Sequence, residues 1–272
     1  MVAVNGHKIS VFVKGQGSQT LVFLSGAGTA SPILDFKDVY NGFSKEYKIV
    51  VVVERAVYGY SEDTSKSRNV SVILSETRQF LSKSQVLGPY IILSHSMAPL
   101  ETLLWQENYP SAVKAVVCLD WAFPESYSHL KRYPQMLRLA RWGSQLGLLR
   151  LLPRQLYMPN ENLSDSDRRL YQEIAYRQLL SQAMLNESLC VKENAKKVNS
   201  TSIKSQMPVL LMVSNGKGTG FSQEQWRHYA TSFAKNQENI ELAFYDAPHY
   251  FYHYQTKKVI RSIEDFIQEK TD

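Results

Sequence analysis

The chain has 272 residues, is 44% hydrophobic and carries a formal net charge of +6, enough material for one large core or a core with a small lid. No apolar run is long enough to cross a bilayer, which excludes stable membrane insertion. Without a recognised module or a stripe of Lys/Arg interleaved with aromatics, the mild positive charge reads as a solvated surface and excludes a nucleic-acid partner.

Met1 to Gly6 is polar-punctuated, with no basic segment leading into an apolar run, so no secretory signal is expected. Val2-Ala3-Val4 and Ile9 to Val13 flank Asn5-Gly6, a strong hairpin signal. Gly15-Gln16-Gly17 turns into a third strand, Leu21 to Leu24. Residues 32–47 read as a helix with Pro32 in its first turn. Ile49 to Val53 is a β-branched apolar run, expected to be a strand buried on both faces. Ser71 to Gln85 has helical spacing in Val72, Leu74, Phe80 and Leu81. A strand from Pro89 to Leu93, a tight turn at Ser96 and a helix to Asn108 follow. Val113 to Leu119 is another buried strand, ending at Asp120. Residues 124–207 lose the strand signals and turn helical, rich in Leu and Arg. Pro208 to Val213 returns to strand, Ser222 to Lys235 is helical, Ile240 to Tyr245 is a strand, and Val259 to Gln268 is an amphipathic closing helix.

Strands alternating with helices imply an α/β fold. Its central sheet is mostly parallel, opened by an antiparallel hairpin and covered by helices on both faces. The expected division is a body of residues 1–123 and 208–272 with a helical cap, residues 124–207. That insertion follows the strand ending at Asp120, so it lies over the carboxyl ends of the strands, where open α/β sheets bind ligands.

Ser94-His95-Ser96-Met97-Ala98 carries the most chemical information. A serine at the apex of a strand–turn–helix presents its hydroxyl above the sheet, and the next backbone N–H lies at a helix N-terminus where it can stabilise an oxyanion. The same serine could be a simple helix cap. Further signals lie elsewhere: Leu24-Ser25-Gly26-Ala27-Gly28 after the third strand, Glu54 to Ser61 after the fourth, and Asp246-Ala247-Pro248-His249-Tyr250 after the last. Together these four segments resemble, in order and in the kind of element each follows, the α/β-hydrolase fold superfamily. They look like its oxyanion loop, its Asp-Arg-x-Gly-x-Gly-x-Ser loop, its nucleophile elbow and its histidine loop. The departures are Ser25 for the usual histidine, Ser94 and Ala98 for the elbow glycines, Val57 for a glycine and Pro248 for a glycine.

The resemblance implies Ser96 as nucleophile and His249 as base, with the backbone N–H groups of Ala27 and Met97 as oxyanion hole. The family's usual acid position, the loop Ser214 to Gly220, holds no carboxylate, and Glu224 falls in a helix. Some members place the acid after the strand that follows the nucleophile strand, which makes Asp120 the expected acid here. Asp246 stays as a minor alternative, and Asp120 as a mere cap to the insertion stays open too. His95 would shape the elbow. His249 and His253 are four apart without a third ligand, so no metal is expected, and no organic cofactor is implied. Gly26-Ala27-Gly28 and Gly216 to Gly220 lack dinucleotide and Walker spacing.

Leu146, Leu148, Leu149, Leu151 and Leu152, interleaved with Arg138, Arg141, Arg150 and Arg154, read as an amphipathic lid with leucines on the core and arginines in water. A sharper expectation is that part of this face, with Trp121, Phe123 and Tyr250, lines an acyl pocket. Cys118 and Cys190 read as small buried hydrophobes of a reducing, cytoplasmic compartment. The leading expectation is a serine hydrolase for a small-molecule acyl substrate, an ester, thioester or relative. The alternatives are other chemistry on the same fold (C–C cleavage, cofactor-free haloperoxidase, lyase) and a silent ligand-binding protein. Monomer and homodimer both stay open.

Overall fold

The computed structural model describes residues 1–43, 47–131, 133–198, 203, 206–235 and 237–271, with the backbone alone for 47–52. Among them, eight strands form one sheet: β1 (Val2–Val4), β2 (His7–Lys14), β3 (Gln19–Leu24), β4 (Tyr47–Glu54), β5 (Tyr90–Ser96), β6 (Val113–Trp121), β7 (Val209–Val213) and β8 (Ile240–Phe244). The spatial order is β1-β2-β4-β3-β5-β6-β7-β8. β1, β2 and β4 pair antiparallel, and every pair from β4 through β8 is parallel. The turn between β1 and β2 has positive φ at both Asn5 (49°) and Gly6 (86°), the geometry that matches strand twist in a two-residue hairpin.

Strand residues alternate between two apolar layers. Val22, Leu24, Ile92, Val116 and Cys118 face a cluster with Leu74, Phe80 and Leu103, from helices α3 (Val70–Lys83) and α4 (Pro99–Asn108). Leu21, Phe23, Leu93, Val117 and Leu119 face the other side, with Phe36, Val39, Ile263 and Phe266. Each such side chain, when fully buried, contributes about 1.5–3 kcal/mol. The strands therefore read as continuous apolar runs, because helices cover both faces. The burial expected for Ile49 to Val52 lies outside the described side chains.

Two differences from the sequence reading concern the first helical segment. It is two short helices, α1 (Pro32–Asp35) and α2 (Lys37–Gly42), broken at Phe36 (φ −86°, ψ 5°). Asp35 is buried at the break, where it accepts a hydrogen bond from Tyr252. Tyr47 already belongs to β4, and the expected helix over 44–46 lies outside the described residues.

Between β6 and β7 the described chain is helical: α5 (Ser126–His129), α6 (Pro134–Gln145), α7 (Asp165–Gln178) and α8 (Gln182–Val198), with 3-10 turns at Leu148–Leu151 and Arg154–Leu156. Arg132 and residues 199–202, 204 and 205 of the expected cap lie outside the described residues. The excursion shares the body's apolar clusters: Val191, Ala195 and Val198 join the first layer, and Leu149, Tyr157 and Tyr171 pack with Ala30 and Leu34. After β7 come α9 (Gln223–Ala234), β8, α10 (Phe251–Tyr254) and α11 (Thr256–Thr271).

The leucine-rich stretch does not lie as expected. α6 stops at Gln145, and Gly147 turns the chain with φ 81°. Leu149 is buried, whereas Leu146, Leu148, Leu151 and Leu152 are exposed. The glycine turn breaks the helical period on which the amphipathic reading rested. Cys118 is buried as expected, but Cys190 on α8 is only half-buried.

Candidate active site

The strand order reverses between β3 and β5, and the crevice at such a switch point opens beyond the carboxyl ends of the strands. Every segment singled out above lies at that edge. β5 ends in Ser96, whose φ of 56° makes the sharp turn into α4. The turn is so close to the loop after β3 that a Cβ on Gly26 would lie 2.6 Å from Ser96 Cβ, so only glycine fits at 26. Ala98 has φ −62° and ψ −20°, a conformation open to any residue, which is why alanine serves there. Ser94, the other departure from glycine, is fully buried, and its Oγ accepts a 2.8 Å hydrogen bond from Trp121 Nε1. Val57 is the departure with no relief, since a β-branched residue at φ 71° is strained.

Asp120 sits at an irregularity in β6. His95 pairs with Leu119 but Ser96 pairs with Trp121, so Asp120 is the extra residue of a bulge, with φ 53°. The bulge places its carboxylate between β6 and β7. Oδ1 accepts from the Ser214 N–H at 2.7 Å and from Trp226 Nε1 at 2.8 Å. Oδ2 lies 2.6 Å from His249 Nδ1, and His249 Nε2 lies 2.9 Å from Ser96 Oγ. Asp120 is fully buried, while the His249 side chain keeps 12% of its surface exposed. A hydroxyl, an imidazole and a buried carboxylate so connected can deprotonate the hydroxyl as it attacks and stabilise the resulting imidazolium.

His249 is held by its own loop. Its N–H donates to Lys217 O at 2.9 Å. Just beyond it, Tyr252 Oη donates to Asp35 Oδ2 at 2.8 Å, and His253 Nε2 lies 3.2 Å from Asp35 Oδ1. The loop after β7 thus supplies backbone groups to the site in place of a carboxylate. Asp246 is exposed and bonded to Asn215, and Glu224 is exposed on α9, so neither reaches His249. Trp226, which carries half of the Asp120 contacts to Oδ1, is missed by sequence reasoning. It lies on a helix 106 residues away and no local pattern points to it.

Ala27 and Met97 line the same cavity as Ser96, and among the described residues no hydrogen bond joins either N–H to a protein acceptor. The glycine loop is pinned: Gly28 N–H donates to Tyr58 Oη at 3.1 Å, and Tyr58 Oη donates to Glu187 Oε2 at 3.1 Å. Glu187 also accepts from Arg55 at 2.8 Å, and Arg55 reaches Glu101 at 3.2 Å. The two carboxylates hold the buried guanidinium firmly protonated despite its desolvation, and desolvation pushes the Tyr58 phenol well above its ordinary value. Beside the site, burial first and the neighbouring His249 second push the His95 imidazole well below its ordinary value.

Ser96 and His249 open onto a cavity of about 630 Å³, whose wall includes Ala27, Met97, Leu137, Ala140, Val191 and Tyr250. Of the three residues expected in the acyl pocket, only Tyr250 lines it. Trp121 and Phe123 are turned into the core against Phe233, and the exposed leucines of 146–152 are absent from its wall. The bulge decides this: plain alternation would put Trp121 in the layer of Leu119, but the extra residue at Asp120 returns it to the layer of Val116 and Cys118, where its N–H is satisfied by Ser94. That bond ties Trp121 to Ser94, two residues before the serine turn.

The sequence is 31% identical over 279 aligned residues to the uncharacterized protein YbdG of Bacillus subtilis strain 168, covering 99% of this chain and 85% of that one. The chain belongs to the YbdG family. No family model matches the sequence. Its fold is that of the α/β-hydrolase superfamily. A haloalkane dehalogenase DbeA-M1 loop variant from Bradyrhizobium elkanii superposes with a TM-score of 0.75 at 14% identity, covering 98% of this chain and 95% of that chain. The enol-lactonase of Burkholderia xenovorans LB400 gives 0.71 at 14% identity, with 98% and 99% covered. An epoxide hydrolase of Bacillus megaterium bound to an inhibitor gives 0.69 at 16% identity, with 98% and 99% covered.

Proposed function

We propose that this YbdG relative is a serine hydrolase that cleaves an ester, thioester or lactone of an apolar acyl group. The observation that carries the reading is the continuous hydrogen-bonded run Ser96–His249–Asp120 at the wall of a largely apolar cavity. Ser96 Oγ attacks the acyl carbon while His249 Nε2 takes its proton. Asp120 keeps His249 Nδ1 protonated and oriented, and the Ala27 and Met97 N–H groups receive the charge that develops on the carbonyl oxygen. His249 then returns the proton to the leaving group, and water repeats the sequence on the acyl-enzyme. The helical excursion acts as a cap that excludes water and shapes the acyl site. Three structural neighbours whose names denote hydrolytic enzymes share the scaffold, which is support by analogy only.

The test is labelling by a fluorophosphonate probe. The native protein should label rapidly. Ser96→Ala should abolish the signal, Asp120→Asn should slow it by about 10⁴-fold and His249→Ala by about 10⁶-fold. A native protein that labels no faster than Ser96→Ala would overturn the reading in favour of a ligand-binding role. Product analysis with ester, lactone and C–C substrates then separates hydrolysis of an acyl bond from other chemistry of the same serine and histidine.

A further inference from the structure

Of sixteen large apolar side chains exposed among the described residues, nine lie between Tyr133 and Leu156. On α6, Met136, Leu139 and Trp142 recur every third residue and Leu146 continues the stripe, each 64–69% exposed. The adjoining side of the same helix presents Leu137 and Ala140 to the cavity. Leu148, Leu151, Leu152 and Leu156 extend the exposed surface. An apolar stripe of this size facing outward is not what packing on the body requires.

Charge decides what covers it. Residues 126–160 hold six cations, Lys131, Arg132, Arg138, Arg141, Arg150 and Arg154, and no Asp or Glu. The rest of the chain is balanced, 25 basic side chains against 25 acidic, so the whole formal charge of +6 resides in this stretch. None of the five described cations makes an ion pair. We infer that this face docks on the surface of an anionic lipid bilayer. The leucines and Trp142 sit at the acyl boundary and the cations at the phosphates, as on interfacial amphipathic helices. A second copy on the same face would bring two unbalanced sets of cations together. A protein partner would meet leucines and cations without a single carboxylate to accept its donors, poor matching for a specific protein interface. Tyr133 and Met136 are both exposed and part of the cavity wall, so the docked face adjoins the rim of the cavity. The inference does not depend on which reaction the cavity supports.

The experiment is co-sedimentation of the full chain with vesicles of phosphatidylcholine alone and of phosphatidylcholine with phosphatidylglycerol. The expected result is binding to the anionic vesicles, weak binding to the neutral ones, and release by salt. The pair Leu139→Asp with Trp142→Asp should weaken the partition by about tenfold or more, and so should Arg138→Glu with Arg150→Glu and Arg154→Glu. All five positions are solvent-facing and outside the cavity wall, so an unchanged thermal midpoint certifies the fold. No sedimentation with either vesicle, equal sedimentation with both, or full binding by the substituted proteins would overturn the inference. So would a dimer in sedimentation velocity that Leu139→Asp dissociates, or capture by poly-glutamate without vesicle binding.

Discussion

At the scale of single residues, the site depends on a few backbone conformations that most side chains avoid. Ser96 and Asp120 both have positive φ, and aspartate tolerates that region better than most because its short polar chain bonds locally. His95 shows the electrostatic cost of the arrangement. Its folded-state pKa is depressed, so between that value and the unfolded value near 6.5 the unfolded chain binds more protons than the native one. Stability therefore rises with pH across that window and is lost as pH falls below about 6.5. Calorimetry of the native protein and of His95→Gln at about pH 7.5 and about pH 5.5, on either side of the unfolded value, checks it. The native protein should lose more of its Tm than the variant, and equal losses would show that His95 does not contribute the slope.

At the scale of elements, the loops at the carboxyl edge are braced by α8. Arg55, from the loop after β4, pairs with Glu187 of α8 and Glu101 of α4, all three almost fully buried. Thr77 of α3 donates to Glu101 as well, at 2.5 Å. Through Tyr58 the same cluster reaches Gly28, so it bears on the loop that carries Ala27. Arg55→Leu leaves two carboxylates buried without their cation and should cost about 3–5 kcal/mol of unfolding free energy in urea titrations. A loss below about 1 kcal/mol would mean that water already screens the cluster.

At the scale of the whole molecule, the cavity is built jointly by the sheet edge and the helical excursion. Its volume of about 630 Å³ falls in the range of small-molecule sites. Ala140 of α6 is on its wall but contacts none of the Ser96, His249 and Asp120 groups through any hydrogen bond. On the proposed reading, Ala140→Trp should lower kcat/KM for an octanoyl ester by about tenfold or more and leave an acetyl ester within about twofold. Equal losses for both would place the acyl chain elsewhere. Among the described residues no helix is long and apolar enough to cross a membrane.

What could be read without coordinates is what depends on neighbours in the chain. Asn5-Gly6 needs only its own φ preferences to make the hairpin, and β-branched runs between Gly and Pro signals mark strands by their period. The serine turn shows itself because a strand, a small-residue turn and a helix follow one another within a dozen residues. Their order along the chain, with the resemblance it supports, is enough for the α/β-hydrolase fold. The rest is decided by partners distant in sequence. Asp120 meets His249 across 129 residues through a bulge that no periodicity announces, and Trp226 joins them from a third segment. Trp121 and Phe123 are core residues because the bulge sets which way β6 alternates. The outward turn of α6 has the same origin. An amphipathic helix encodes two faces, but which of them meets the body is set only when the body offers a cavity to one and solvent to the other.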